Sequence, residues 1–239
     1  LALTAAQLYS DPKLVAAARA ELERPAGSVG AERLRALWDS AVRPAGEDAR
    51  LELELAELPL AEQLFRIAGR PEGASAAAVR VVDVLSARLR VSLPESLVLT
   101  PDALTKYALL FRLQLMLAHA ARRLAAALPA RGAWADAPRD ALLARRQMLA
   151  LVSGVQQYVA HDVLEPAWRR MLDALAGAAS LEDVLAAHGA FLDTALRQTM
   201  LSNARLVHML AQMLAAAGAL ALADADLSAH DWYATVAAE

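Results

Sequence analysis

The chain has 239 residues, of which 57% are apolar and none is cysteine, and its formal net charge is -3. The lack of cysteine excludes disulfides and thiolate metal sites, and the slight acidic excess argues against a general nucleic-acid binder, which carries a basic excess. Alanine and leucine make up much of the apolar share, and both favour helices. The composition therefore predicts helix almost throughout.

The first hundred residues predict short helices and one region with strand character. Apolar residues recur at helical spacing over 12–22 and again over 28–41. Residues 51–55 alternate leucine with glutamate, a pattern typical of a short strand, and Pro59 then opens another helix. Valines and leucines crowd residues 79–100, which predicts a helix or extended segment followed by a short extended or hairpin-like piece.

The second half of the chain predicts long helices. Thr100 is a suitable N-cap, and Pro101 suits the first helical position, so a helix should run from there to about Leu128. A second long helix should start near Pro138 and reach Pro166, where it either kinks or restarts.

Two further helix starts are marked by capping residues. Ser180 followed by Asp183 forms a variant of the capping box, and Ser202 or Asn203 should cap the last long helix. We therefore expect an all-α fold, a helical bundle of long antiparallel helices with a short extended or hairpin insert near residues 80–100.

The most apolar stretch, 206–223, contains histidine and glutamine and is expected to be a buried helix rather than a membrane span.

Familiar catalytic and metal-binding sequences are missing. The two lysines, Lys13 and Lys106, do not follow a phosphate-binding loop, and no pair of histidines has the spacing of a zinc protease. His161, Asp162 and Glu165 could in principle ligate a metal, but no second cluster at matching spacing supports this. A solvated helix face or a local capping interaction is the favoured interpretation. No cofactor is expected.

His188 lies among Leu185, Leu192 and Ala195 on an apolar helical face. This setting favours a hydrogen-bonded histidine in the core over a catalytic base. Serine, histidine and aspartate are present, but without the local setting of a nucleophile elbow. The sequence therefore supports no enzymatic function, and it favours a protein that holds a partner.

Three blocks of sequence resemble one known family. The first contains Ser96-Leu97-Val98-Leu99 followed by Ala-Leu-Thr-Lys-Tyr and Leu-Phe-Arg over 103–112. The second runs from Gln156-Gln157-Tyr158 to Glu165-Pro166-Ala167-Trp168. The third contains Asp183-Val184-Leu185, His188 and Phe191-Leu192-Asp193-Thr194. In this order, the blocks resemble the C-terminal domain of the gamma-tubulin complex proteins.

The resemblance implies one γ-tubulin-binding helical domain over 1–239, with 1–30 as the linker from an N-terminal domain. It implies γ-tubulin and other gamma-tubulin complex components as partners, support of microtubule nucleation, and a location in the cytoplasm and cytoskeleton at a microtubule-organising centre or spindle pole. Neither nucleic acid nor membrane is an expected partner. The chain departs from the family pattern at Leu89, Leu93, Glu95 and Gln157.

The candidate contacts for γ-tubulin lie on the helix that begins at Pro101. Thr105, Arg112, His119 and Arg123 project from nearly the same side of that helix, because spacings of seven and four return to one face. Lys106 belongs to the matched block and completes the set of candidate residues: Thr105, Lys106, Arg112, His119 and Arg123. A narrow basic stripe of this kind suits an acidic protein partner, and tubulins are acidic.

Two alternatives from other classes stay open at this point. A helical adaptor or membrane-surface scaffold without a link to tubulin would show basic residues clustered on one amphipathic face. An enzyme with an unrecognised site would show a deep pocket lined by His161, Asp162 and Glu165.

Overall fold

The computed structural model describes residues 22, 24–26, 32, 33, 36, 50–67, 79–128 and 139–222. In chain order the helices and strands are β1 (Leu51–Leu55), α1 (Leu60–Ile67), α2 (Val81–Val84), β2 (Leu85–Leu89), α3 (Pro101–Ala126), α4 (Arg139–Gln157), α5 (Glu165–Ala176), α6 (Leu181–Gln198) and α7 (Ala204–Leu222). A short 3-10 turn covers Glu95–Leu97, and π-helical turns cover Tyr158–Leu164. The fold is predominantly α-helical, as the sequence predicts.

Helix α3 is the central element of the bundle. Its N-cap is Thr100, whose side chain accepts a hydrogen bond from the Ala103 amide at 3.3 Å, and Pro101 occupies the first turn. Most side chains from Leu109 to Leu124 are buried, because α4, α6, α7 and the sheet all pack around this helix. The predicted helix, from Thr100 to about Leu128, is confirmed.

Strands β1 and β2 form a two-stranded antiparallel sheet in which Leu53 lies opposite Ala87. The strand predicted over 51–55 is confirmed, as is extended structure within 80–100. The expected hairpin-like piece does not close on itself, because the partner of β2 comes from 51–55. Leucine and alanine side chains on one face of the sheet join an apolar cluster with Phe111 of α3, so burial stabilises the pairing.

Two departures from the family pattern lie beside this sheet. Leu89 is the last residue of β2 and lies opposite Leu51. Glu95 follows in the 3-10 turn and accepts hydrogen bonds from the Arg50 guanidinium at 2.6 and 2.8 Å. The carboxylate therefore connects the turn before α3 to the residue before β1.

The junction at Pro166 is a change of helical register rather than a break. After α4, the chain continues through π-helical turns, and the Glu165 amide donates to the carbonyl of Ala160 five residues earlier. Pro166 then lies in the first turn of α5, where its missing N–H costs least. The expected kink or restart at this position is thus resolved as a π-helical insertion followed by a new α-helix.

The predicted caps of the last two helices are confirmed. Ser180 and Asp183 exchange hydrogen bonds at 3.2 and 2.9 Å, which completes a capping box at the start of α6. The Asn203 side chain accepts from the Arg205 amide at 3.0 Å at the start of α7. Apart from a few isolated positions, the helices predicted over 12–41 and the proposed linker over 1–30 lie outside the described residues.

Candidate partner-binding surface

Thr105 and Lys106 are accessible on the first turns of α3. The Thr105 side chain is exposed, and its hydroxyl donates to the Pro101 carbonyl at 2.9 Å. The Lys106 ammonium donates to the Asp193 carboxylate of α6 at 2.7 Å. Of the five candidate contacts, these two lie where a partner can reach them.

Arg112 is buried, with 2% of its surface exposed. Its guanidinium donates to the Gln63 side-chain oxygen, to the Leu58 carbonyl at 2.6 Å and to the Asp83 carbonyl at 2.9 Å. Burial lowers its pKa to about 10, against the opposing effect of the Asp83 charge, so the group stays charged at neutral pH. Arg112 therefore holds the segments around α1 and α2 against α3.

His119 and Arg123 are also buried, with 4% and 5% of their surfaces exposed. Both line a cleft of about 30 Å³ that also includes Arg80 and Gly218. The expectation of an exposed basic stripe is therefore wrong for Arg112, His119 and Arg123. The reason is that α3 is enclosed on this side as well, by α1, α2 and α7, and so its polar face points into the molecule.

An exposed surface with basic residues lies instead at the edge of the sheet. A groove of about 1000 Å³ opens between the sheet and the first turns of α3, and Thr105 lines it. Arg88 and Arg90 also line the groove, where they pair with Glu54 at 3.6 Å and with Glu52 at 2.7 Å. Arg88 and Arg90 were not among the residues predicted from the sequence. Their signal was the alternation of arginine and leucine from Arg88 to Arg90, opposite the alternating glutamates of β1.

A cluster of rings joins α3 to α5 and α6 beside this surface. The Tyr107 hydroxyl lies 3.0 Å from His188 Nε2, and the ring of Phe191 lies between those of Tyr107 and Trp168, with centroids 6.2 and 5.5 Å away. Burial raises the pKa of Tyr107 to about 12, and burial with the nearby Lys106 charge lowers the pKa of His188. The prediction that His188 is a hydrogen-bonded core residue is confirmed.

His161 and Glu165 form a local contact on one helix face. His161 Nδ1 lies 3.2 Å from the Glu165 carboxylate, which also accepts a hydrogen bond from Arg169. The hydrogen bond to His161 and the charge of Arg169 lower the pKa of Glu165. Asp162 is exposed nearby. Within the described ranges, no group of three or more histidine or acidic side chains is placed to hold a metal ion.

None of the helices in the described part of the chain is both long and apolar enough to cross a membrane. This agrees with the view of the stretch 206–223 as a helix of the bundle, since α7 contributes Val207, Leu210, Ala217 and Leu220 to the main apolar cluster.

Comparison with known proteins identifies a family to which the chain is similar. The family model described as "Gamma tubulin complex component C-terminal" matches residues 12–231. This range contains all three sequence blocks, the sheet and helices α1 to α7.

Curated relatives agree with that match. The chain is 29% identical to mouse gamma-tubulin complex component 2 over 217 residues, and 28% identical to the Arabidopsis thaliana protein of the same name over 204 residues. These alignments cover 81% and 77% of this chain but 24% and 29% of the relatives. Spindle pole body component alp4 of Schizosaccharomyces pombe is 30% identical over 137 residues, or 52% of this chain and 18% of that protein. The chain thus spans less than a third of the length of these relatives.

Proposed function

This chain belongs to the gamma tubulin complex component C-terminal family, and we propose that it binds γ-tubulin as part of a γ-tubulin complex and supports microtubule nucleation. The observation that carries the proposal is the family match over residues 12–231, supported by the named relatives. By the same reasoning, the chain would associate with other gamma-tubulin complex components and act in the cytoskeleton at a microtubule-organising centre or spindle pole.

The proposed mechanism is binding without catalysis. Several copies of γ-tubulin held side by side present a template for the addition of α/β-tubulin. Because the scaffold already holds these copies together, starting a polymer on them costs less entropy than assembling the first tubulin subunits without a template. The bundle around α3 suits this role, because most side chains along this helix are buried and a well-packed support loses little further freedom when it binds.

We place the contact with γ-tubulin at Thr105, Lys106 and the neighbouring groove edge with Arg88 and Arg90. Two observations support this. Thr105 and Lys106 lie in the first of the three blocks that carry the family resemblance, and all four side chains are at least partly accessible. Lys106, Arg88 and Arg90 carry positive charges, each paired with one carboxylate of this chain, so the carboxylates of an acidic partner would compete for these three cations. The buried candidates Arg112, His119 and Arg123 would act indirectly by keeping α3 in place.

The experiment is co-elution of the 239-residue chain with purified γ-tubulin at low ionic strength, followed by measurement of the dissociation constant. Lys106→Glu should weaken binding by about tenfold, roughly 1.4 kcal/mol, because it reverses one charge at the contact. Its effect on folding should be small, since the pair with Asp193 is a surface ion pair worth about 0–1 kcal/mol.

Two variants serve as matched controls. Lys106→Glu combined with Asp193→Lys restores an ion pair between the same helices but exchanges the two charges, so it separates folding from binding. Arg205→Glu reverses a charge on the exposed first turn of α7, a helix that contributes no residue to the lining of the groove, and should bind as the unchanged chain does. Equal weakening by Lys106→Glu and Arg205→Glu would show that net charge, not this surface, determines binding.

A further inference from the structure

The outer edge of β2, the edge that faces away from β1, carries main-chain groups that take no part in the sheet. Residue pairs of an antiparallel sheet alternate between hydrogen-bonded and non-hydrogen-bonded pairs. The Arg90 amide donates to the carbonyl of Arg50, directly opposite, at 2.8 Å, so this pair is hydrogen-bonded. Counting back along β2, Leu89 and Ala87 belong to non-hydrogen-bonded pairs. Their N–H and C=O groups therefore point away from β1.

The outward main-chain groups of Ala87 and Leu89 have no hydrogen-bond partner in the part of the chain that the structure describes. Ala87 is only 6% exposed. Main-chain groups at such buried positions are nearly always hydrogen-bonded, because an unpaired one costs free energy. An unpaired strand edge is a template for another strand, which would supply the missing donors and acceptors.

The groove between the sheet and the start of α3 gives an extended segment access to this edge. Ala87 and Leu89 line the groove on the side of the sheet, and Leu104 and Ala108 line it on the side of α3. Every residue that lines the groove lies within the described ranges. Its volume of about 1000 Å³ is at the upper end of the range for ligand clefts, about 300–1000 Å³. The groove therefore has room for a segment laid along β2.

The charges of the groove favour an acidic occupant. Its lining contains three arginines and two glutamates. Arg90 donates through Nε and Nη2 to Glu52 at 2.9 and 2.7 Å, and Arg88 Nη1 lies 3.6 Å from Glu54. A guanidinium has five N–H donors, so both arginines retain donors for a second carboxylate. A segment that brings carboxylates to the other side of β2 would use them.

The sequence of β1 shows which side-chain pattern fits beside β2. Its residues alternate leucine and glutamate over Leu51–Leu55. On one face of the sheet Leu53 joins the apolar cluster that contains Phe111, and on the other face the glutamates pair with Arg88 and Arg90. A segment on the other side of β2 meets the same two faces, because directly opposite side chains in adjacent strands project to the same face. It should therefore alternate apolar and acidic residues.

We propose that an extended segment of γ-tubulin, with carboxylates at alternate positions, adds to the outer edge of β2 as a third strand. This inference rests on the proposed binding of γ-tubulin and specifies its form. The main-chain groups of Ala87 and Leu89 supply hydrogen bonds that any extended segment could make, and Arg88 and Arg90 select an acidic one.

The first test uses two synthetic peptides of seven residues, one alternating valine with glutamate and the other alternating valine with lysine. Binding of each labelled peptide to the 239-residue chain is measured by fluorescence anisotropy. The glutamate peptide should bind at least about tenfold more tightly, because only its charges complement those of the arginines.

N-methylation of the glutamate peptide tests main-chain pairing without altering the chain. One version carries methyl groups on the valine amides and the other on the glutamate amides. Only every second amide of an added strand faces β2, so only one version should lose binding, by at least about tenfold. This is the valine version if the segment runs antiparallel to β2 and the glutamate version if it runs parallel.

Hydrogen exchange and a charge variant locate the binding. The amide protons of Ala87 and Leu89 should exchange more slowly when the glutamate peptide is bound, as measured by NMR, whereas the Arg88 amide, which faces β1, should change little. Arg88→Glu should weaken the glutamate peptide and strengthen the lysine peptide. The matched control, Arg205→Glu on α7, alters no residue of the groove lining and should leave both affinities unchanged.

The strand proposal is overturned if neither peptide binds, if both bind equally, if the two N-methylated versions lose binding equally, or if no protection appears at Ala87 and Leu89. The glutamate peptide should also compete with γ-tubulin for the chain. Binding of γ-tubulin that the peptide does not disturb would overturn the strand proposal and leave the proposed function standing. Peptide binding by a chain that does not bind γ-tubulin would overturn the proposed function and the choice of γ-tubulin as the occupant.

Discussion

Replacement of Arg112 by methionine should destabilise the protein rather than merely weaken a surface contact. Methionine keeps a long apolar side chain but removes the guanidinium, which donates to Gln63, to the Leu58 carbonyl and to the Asp83 carbonyl. Leu58 immediately precedes α1, Gln63 lies on α1 and Asp83 lies on α2, so one side chain connects both helices to α3.

The size of the destabilisation follows from the three acceptors that lose the Arg112 guanidinium as their donor. An acceptor left without a partner costs about 1–3 kcal/mol when it is fully buried, and these three acceptors are partly buried, so together they contribute about 3 kcal/mol. The replacement also removes the desolvation penalty of the buried charge, which lowers the pKa of Arg112 to about 10, so the low end of the range applies. We expect the free energy of unfolding to fall by about 3 kcal/mol.

Urea unfolding followed by far-UV circular dichroism measures this change. With a denaturant slope of about 3 kcal/mol/M, the midpoint should move down by about 1 M. Arg205→Met, at an exposed position of α7, is the control and should stay within about 0.5 kcal/mol of the unchanged chain. The reasoning is refuted if Arg112→Met also stays within that margin but loses γ-tubulin binding, because Arg112 would then be a surface contact.

Two further predictions concern α6. Ser180→Ala removes the cap that pairs with Asp183 and should lower the free energy of unfolding by about 1 kcal/mol in urea; no measurable change would contradict a capping role. The pKa of His188 is lowered from its ordinary value of 6.5. On acidification the unfolded chain therefore takes up the proton before the folded chain does. Stability is lost as the pH falls below 6.5 towards the folded-state pKa. His188→Gln should therefore reduce the difference in unfolding free energy between about pH 7.5 and 5.5, whereas an unchanged difference would assign that pH dependence to other groups.

Features that depend on neighbouring residues were predictable from the sequence. The start of α3 at Thr100 and Pro101 follows from capping and from the fixed geometry of proline, and the Ser180–Asp183 box follows from a spacing of three. The alternation of leucine and glutamate over 51–55 indicated a strand, but it did not indicate which segment pairs with that strand. Residues 85–89 lie some thirty positions further on, and alternation alone does not say which strands meet.

The positions of the charged residues on α3 were not predictable in the same way. The spacing of Arg112, His119 and Arg123 correctly placed them on one face, but spacing alone cannot distinguish a face in water from one turned towards other helices. The apolar residues around the rest of α3 were the available signal, because a helix that is apolar on nearly all sides is buried on all sides. The ion pair between Lys106 and Asp193 joins residues 87 positions apart and required the folded structure.

The central claim is that this bundle binds γ-tubulin through the start of α3. The most direct measurement is the dissociation constant for γ-tubulin of the unchanged chain, of Lys106→Glu and of the Lys106→Glu/Asp193→Lys pair, in low and moderate salt. We predict a complex at low salt that weakens as salt rises, and about tenfold weaker binding for both variants although both remain folded. A folded chain that shows no association with γ-tubulin at low salt would contradict the account.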